Sequence, residues 1–209
     1  YYEQGNHEEF KRLTQKALNF VLLISLPVVA YFIIVSEQAI LFLSGDSFLP
    51  AVLPMKFIMP TVLFIGLSNL TGIQILVPTN REKLVVYSTI IGAIVDILIN
   101  SFAIPLLGAT GAAIAGSIAE LTVTLVQLYF LRDFIFPLLK QVRFTRLFSS
   151  LTLAVILTML LLHNLNVSVF LNLVYSALLF FGVYGLTLLI QKEEMVVELI
   201  ESVISNVKK

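Results

Sequence analysis

The sequence predicts an all-α polytopic membrane protein with six transmembrane helices, and three observations support this fold class. Hydrophobic residues make up 58% of the 209 positions and charged residues 12%, roughly half the charged share of an average soluble protein. The hydrophobic stretches are continuous and mostly reach the ~17–25 residues of a membrane-spanning helix, whereas barrel strands alternate in polarity and need only ~9–11 residues. The connections between the stretches alternate in their content of Lys and Arg.

Six hydrophobic stretches define the predicted spans. They cover residues 18–36, 53–77, 84–104, 109–131, 147–163 and 168–191. The fifth stretch is the shortest and could continue along the membrane interface. Pro27 and Pro60 lie inside the first and second stretches. A proline there leaves a backbone carbonyl without its donor and bends the helix, which neighbouring helices can accommodate.

The spans divide the chain into five predicted parts. These are a cytoplasmic lead-in over residues 1–17, four transmembrane helices over 18–131, a cytoplasmic basic loop over 132–146, two further transmembrane helices over 147–191 and an amphipathic cytoplasmic tail over 192–209. The tail has hydrophobic residues at helical spacing, with Glu194, Glu198 and Glu201 off this stripe. The pattern suits an interfacial helix or a packing helix, and its acidic face disfavours tight binding to anionic lipid.

Positive charge alternates between the connections without exception. Lys and Arg occur ahead of the first span, between the second and third, between the fourth and fifth, and after the sixth. These residues are Lys11, Arg12, Lys16, Arg81, Lys83, Arg132, Lys140, Arg143, Arg146, Lys192, Lys208 and Lys209. The other connections, residues 36–53, 105–108 and 163–168, contain neither residue type. Because short connections rich in Lys and Arg stay on the cytoplasmic side, both ends of the chain are predicted to lie in the cytoplasm.

Several classes of protein are disfavoured by the composition. The chain has no cysteine, which excludes disulfides and thiolate metal sites. Its formal net charge is zero and no basic stripe occurs outside the connections, so nucleic acid is not an expected partner. No catalytic motif is present, and we predict no catalytic residue, no metal ligand and no cofactor. The chain opens without a methionine or a signal-peptide pattern, and we interpret it as part of a longer polytopic protein.

Three ionisable residues lie within the predicted spans: Lys56, Asp96 and Glu120. Such residues cost roughly 2.5–3.5 kcal/mol on insertion scales and therefore tend to face a bundle interior or an aqueous cavity. Lys56 lies near the outer end of the second span, where it could snorkel to the interface or meet an anionic headgroup. Asp96 and Glu120 lie ~18 Å and ~16 Å into the third and fourth spans, close to the bilayer midplane.

The two midplane carboxylates have two interpretations. Small and polar residues share a face with each carboxylate, and we expect these two faces to meet. The residues are Thr89, Gly92, Ala93, Asp96 and Asn100 on the third span, and Ala109, Ala112, Ala113, Gly116, Ser117, Glu120, Thr124 and Gln127 on the fourth. The carboxylates could hold the two helices together by hydrogen bonds. Alternatively, they could line a central cavity and contact a cation, a proton or a polar substrate.

A second polar cluster lies in the second span, where Asn69 and Gln74 accompany Ser68 and Thr71. The two amides could bind sugar hydroxyls, and they could equally bond to neighbouring helices.

Three sequence segments resemble a known family. They are GDSFLPAVLPM over residues 45–55, GIQILVPTNREK over 72–83, and NSFAIPLLGATGAAIA over 100–115, with Ala119 and Glu120 following. In order and spacing they resemble the C-terminal half of polysaccharide flippases of the multidrug/oligosaccharidyl-lipid/polysaccharide superfamily. The resemblance extends over essentially the whole chain and is strongest from residue 45 to residue 132.

The resemblance implies a MATE-like transporter with two lobes. Members of the family typically have about fourteen helices, arranged as two bundles around a central cavity with two helices appended. Residues 18–131 would then belong to the C-terminal bundle and residues 147–191 would be the appended pair, with the missing N-terminal bundle as their partner. The implied activity is alternating-access export of undecaprenyl-pyrophosphate-linked oligosaccharides across a bacterial cytoplasmic membrane, with H⁺ or Na⁺ as the coupling ion.

The resemblance also implies candidate binding residues. Cavity candidates are Asp96, Asn100, Glu120, Lys56, Asn69 and Gln74, and candidates for a groove that holds the lipid tail are Tyr175, Phe180 and Phe181. Position 96 departs from the family pattern, in which we expect Asn or a hydrophobic residue. Three other functions stay open: a cation-coupled multidrug exporter of the same superfamily, a membrane glycosyltransferase or polymerase, and a purely structural membrane subunit.

Overall fold

The structure is a computed structural model that describes residues 6–164 and 167–198. Within these residues every regular element is a helix. Six helical segments are long and hydrophobic enough to cross a membrane: His7–Ile34, Asp46–Leu76, Glu82–Leu107, Ala109–Phe130, Phe144–His163 and Val169–Ile190. The predicted all-helical chain with six membrane-length helices is therefore confirmed.

Nine α-helices lie wholly within the described residues, and residues 194–198 are also helical. The nine are α1 (His7–Ile34), α2 (Ser36–Ser44), α3 (Val52–Ile58), α4 (Thr61–Asn69), α5 (Glu82–Leu107), α6 (Ala109–Phe130), α7 (Arg132–Leu139), α8 (Phe144–Asn164) and α9 (Val169–Ile190). A 3₁₀-helix, Asp46–Ala51, precedes α3, and a π-helix, Leu70–Leu76, follows α4. The predicted lead-in is not separate from the first span, because α1 begins at His7 and runs through both.

The second span is a broken helix. Helix α3 ends at Ile58 and α4 begins at Thr61, with Pro60 between them. Proline has no N–H for the helical hydrogen bond and its ring crowds the preceding turn, so the helix breaks at this position. The span then widens into the π-helix, in which the Val77 N–H donates to the Gly72 carbonyl at 3.0 Å.

Helices α5 and α6 form an antiparallel hairpin that turns at Gly108. This residue has φ +57°, a left-handed conformation that glycine adopts without a steric penalty. The two helices approach closely because glycines lie at their contact. A Cβ at Gly111 would overlap the Ala103 carbonyl, and a Cβ at Gly92 would overlap the Val123 side chain. Small residues therefore fix the register of the hairpin.

Helix α1 lies between the second span and the pair of helices α8 and α9. It packs against α4 and the π-helix on one side and against α2, α8 and α9 on the other. The largest fully buried hydrophobic side chains of the shared core are Leu18, Leu70, Ile75, Leu76, Ile135, Leu138, Phe180 and Leu188. Two tyrosines also bond across α1 and α9: the Tyr31 hydroxyl donates to the Leu173 carbonyl at 3.0 Å, and the Tyr184 hydroxyl donates to the Leu23 carbonyl at 3.1 Å.

The first half of the predicted basic loop over residues 132–146 forms a short helix, α7. Its Ile135 and Leu138 are buried in the core, and the Phe134 ring lies 5.8 Å from the ring of Phe10 in α1. The hydrophobic side chains of this short segment recur at helical spacing, so one face of the helix is hydrophobic and is buried against the bundle. It therefore folds onto the bundle between its charged neighbours.

The tail packs onto the bundle over residues 194–198, which are helical. Acidic residues of this segment and the preceding Glu193 form ion pairs with basic residues of α1, of the α7–α8 connection and of the first turn of α8: Lys16–Glu198 at 2.7 Å, Arg143–Glu194 at 2.5 Å and Arg146–Glu193 at 3.4 Å. The two exposed pairs, Lys16–Glu198 and Arg143–Glu194, contribute only ~0–1 kcal/mol each. Met195 and Val196 pack against the core beside them. Glu201, Lys208 and Lys209 lie outside the described residues.

Candidate functional site

The hairpin register places Asp96 and Glu120 at similar depth. Gly92 of α5 lies against Val123 and Ala119 of α6, and Ala103 lies against Gly111. On this register Asp96 and Glu120 differ in depth by less than about one helical turn, or ~5 Å. Both side chains are half-buried.

Glu120 lies on the face of α6 that contacts the second span. The Ser117 hydroxyl donates to the Phe57 carbonyl, and the Thr124 hydroxyl donates to the Phe64 carbonyl at 2.9 Å. Glu120 lies on the same face of α6 as these two residues, so it faces α3 and α4. Of the fourth-span face that was expected to meet the third span, Ser117 and Thr124 bond to the second span, whereas Gln127 bonds to Ser88 of α5. The small residues of α6 that contact α5 lie on a different stripe.

Neither carboxylate holds the helices together. Among the described residues, the side chains of Asp96 and Glu120 form no hydrogen bond and no ion pair. The contact between α5 and α6 depends instead on Gly92, Gly111 and one buried hydrogen bond described below. The interpretation of these carboxylates as packing residues thus has no contact to support it.

Asp96 and Asn100 border a shallow, mostly hydrophobic groove on α5. They lie one turn apart, and the groove continues over Ile97, Ser101 and Pro105. The Asn100 Oδ1 atom is buried and has no hydrogen-bond partner in the described part of the chain. Since unpartnered buried polar atoms are costly, this amide has unused capacity for a ligand or another helix.

The other cavity candidates do not join this groove. Lys56 lies on α3, Asn69 ends α4, and Gln74 lies in the π-helix. All three side chains are exposed, and none forms a hydrogen bond or ion pair within the described residues. The structure therefore places the six candidates on three spans without bonding any one to another.

A buried polar node that the sequence pattern did not predict lies near the basic end of these spans. It consists of Thr71, Ser88 and Gln127, which are only 1%, 0% and 2% exposed. The Thr71 hydroxyl donates to Gln127 Oε1 at 2.5 Å, and Gln127 Nε2 donates to the Ser88 hydroxyl at 3.0 Å. The node joins the second, third and fourth spans.

Glycine makes room for the Gln127 node. A Cβ at Gly72 would lie 3.3 Å from the Gln127 amide, so the π-helix brings its backbone directly over that side chain. Thr71 and Gln127 were noted separately in the sequence, whereas Ser88 and the connection between them were missed. In the sequence, this contact is indicated by the spacing of Ser88 and Gly92, two small residues that lie one turn apart on the same face of α5.

Gln127→Leu is expected to lower the free energy of unfolding by about 1 kcal/mol, the usual value for a hydrogen bond between transmembrane helices. The loss is moderate because the Thr71 and Ser88 hydroxyls also bond to backbone carbonyls. The measurement is unfolding in mixed micelles, followed by circular dichroism as the denaturing detergent increases. Gln74→Leu is the matched control, because its amide is exposed and unbonded. Equal effects of the two substitutions would contradict a stabilising role for the node.

The three candidates on α9 for a groove that holds a lipid tail differ in how far their side chains are exposed. Phe180 is 0% exposed, and its ring lies 5.4 Å from the Tyr31 ring. It has no surface for a lipid tail in this structure, so the prediction is not supported for this residue. Tyr175 and Phe181 are 44% and 40% exposed. Phe181 borders a hydrophobic groove of about 280 Å³ with Pro27, Gly185 and neighbouring residues of α1 and α9.

Comparisons of the chain with protein-family models, with curated proteins and with solved structures find no match. Within the described residues, no three His, Asp or Glu side chains come together as a metal site would require. The resemblance to polysaccharide flippases therefore remains a prediction from the sequence motifs.

Proposed function

We propose that this chain is part of a transporter that flips undecaprenyl-pyrophosphate-linked oligosaccharide repeat units across a bacterial cytoplasmic membrane. It would work by alternating access, with both ends in the cytoplasm and a further N-terminal bundle closing the cavity. It would act without covalent chemistry. H⁺ or Na⁺ would supply the coupling.

One observation carries the proposal: Asp96 and Glu120 are half-buried at similar depth in two membrane-length helices and are not used in helix packing. Intramembrane carboxylates are costly and usually mark a substrate or ion pathway. A large polar headgroup needs a hydrated, polar route, because uncompensated polar groups in hydrocarbon cost several kcal/mol each.

Other polar and aromatic side chains on these spans suit a glycolipid. Asp96, Asn100, Asn69 and Gln74 offer unbonded acceptors and donors that sugar hydroxyls can use. Lys56, which is exposed near the predicted outer end of the second span, suits an anionic pyrophosphate. The exposed rings of Tyr175 and Phe181 on α9 suit the polyprenyl tail.

The test uses the full natural protein in a host that lacks its own polysaccharide flippase. We expect wild type to restore surface polymer, and Asp96→Asn or Glu120→Gln to lower it by about tenfold, the change that ~1.4 kcal/mol produces. The lipid-linked intermediate should then accumulate in the cytoplasmic leaflet. Asp133→Asn is the control at matched expression, because this carboxylate lies on the surface of α7.

Other outcomes separate the alternatives. If wild type restores no polymer and instead lowers the accumulation of cationic drugs, the multidrug exporter replaces the flippase. If both midplane variants restore as much polymer as wild type, the transporter stands and the two carboxylates have no part in transport.

A further inference from the structure

Residues 193–198 follow α9 as a strap over two exposed cations of the bundle. Glu194 and Glu198 lie four residues apart, on one face of the strap. Their carboxylates pair with Arg143 of the α7–α8 connection at 2.5 Å and with Lys16 of α1 at 2.7 Å. The two cations are therefore held about one helical turn apart, although they come from different elements of the chain.

The base of the strap is held differently from these two outer pairs. The Arg146 guanidinium donates to the Lys192 carbonyl at 2.8 Å and pairs with Glu193 at 3.4 Å. Glu193 is only 9% exposed, whereas the side chains of the outer pairs are between 44% and 75% exposed. Because water screens exposed ion pairs, the outer pairs add little stability. They can open while the base stays bonded.

The charge of the surface beneath depends on the strap. A polar cavity of about 610 Å³ beside it is lined by Lys16 and by residues of the first turns of α1. Those turns are balanced in charge, with Glu8 and Glu9 beside Lys11 and Arg12. Within the described residues, neither Lys16 nor Arg143 has an ion-pair partner outside the strap. Both would be unpaired cations if the strap moved away.

We propose that Lys16 and Arg143 form a binding surface for the phosphate headgroups of anionic phospholipids, and that the strap covers this surface until such lipid displaces it. Lysine and arginine bind phosphate oxygens through charge-assisted hydrogen bonds. The two residues lie just ahead of the predicted first and fifth spans, which is the level of the cytoplasmic headgroups. An anionic surface attracts these cations and repels the acidic strap.

Displacement would loosen one end of the bundle. The strap connects the end of α9 to α1 and to the α7–α8 connection. Lipid that binds only the uncovered surface would shift the population toward the loosened state. The inference goes beyond the proposed transport and does not depend on it, because it concerns the surface and its lipid alone.

Hydrogen exchange of the strap amides in lipid nanodiscs tests the proposal on the full natural protein. In discs of phosphatidylcholine, which is neutral overall, we expect slow exchange over residues 193–198, as in a docked helix. Adding phosphatidylglycerol to the discs should speed this exchange about tenfold, which the attraction of two cations to an anionic surface can supply. Inorganic phosphate at the same ionic strength as a KCl control should not speed it in neutral discs.

Two pairs of substitutions separate the roles of the strap and of the cations. Glu194→Gln with Glu198→Gln should speed exchange in neutral discs, because the outer pairs are lost. Lys16→Gln with Arg143→Gln should also speed it, and the response to phosphatidylglycerol should disappear. Arg81→Gln is the control, because Arg81 lies in another connection predicted to be cytoplasmic and forms no ion pair within the described residues. Slow exchange in α8 identifies folded variants.

Equal exchange of the wild-type strap in the two kinds of disc would overturn the proposal. So would an undiminished lipid response in the Lys16→Gln, Arg143→Gln variant, or a response that Arg81→Gln removes as well. Release by inorganic phosphate as strong as that by phosphatidylglycerol would show a site for free anions and reject the lipid surface.

Discussion

Gly111→Val is expected to lower the free energy of unfolding by about 3 kcal/mol, at the upper end of the usual cost of overpacking. The side chain would overlap the backbone carbonyl of Ala103. A backbone group cannot rotate away, so α5 and α6 must separate and lose contacts along the hairpin. Unfolding in mixed micelles, followed by circular dichroism, measures the change.

Gly182→Val is the matched control for this substitution. Gly182 lies inside α9, and no atom lies within 4 Å of its Cβ position. Both variants carry the same penalty for a β-branched residue in a helix, so the difference between them isolates the collision. If the two variants unfold alike, α5 and α6 do not pack at this distance.

Phe180→Ala is expected to cost about 3 kcal/mol, because removing a fully buried phenylalanine leaves a cavity that its neighbours fill only partly. The ring packs on Tyr31 and Phe181 between α1 and α9, so the loss should loosen α9 from the bundle. Tyr175→Ala on the same helix removes a ring that is 44% exposed.

The Tyr175→Ala variant should therefore stay within about 0.5 kcal/mol of wild type, as surface substitutions usually do. The same micelle titration compares the two variants. A large loss for Tyr175→Ala with none for Phe180→Ala would reverse the assignment of the buried and exposed faces of α9.

Much of the helix layout follows from local sequence properties. The predicted third and fourth spans, residues 84–104 and 109–131, agree within three residues with Glu82–Leu107 and Ala109–Phe130. Hydrophobic length is a property of each stretch alone, since the bilayer thickness sets the same requirement for every span. Gly108 marks the turn between them for an equally local reason, its left-handed backbone conformation.

The sequence pattern was less informative where structure depends on a neighbour. Residues 132–139 looked like part of a basic loop, and they form α7 because α1 and the core offer a surface for Ile135 and Leu138. The Gln127 node was missed for the same reason. Its three residues come from three spans, and only packing shows that they meet.

The sequence by itself determined that this is an all-helical chain with six membrane-length helices, and that two carboxylates lie near the middle of two of them. Only the tertiary structure decided that Glu120 lies on the face of α6 that contacts the second span and that Phe180 is buried while Tyr175 is exposed. The physical reason is that helical periodicity specifies which residues share a face. The neighbour that a face meets depends on how closely the backbones can approach, and Gly92 and Gly111 fixed that for α5 and α6.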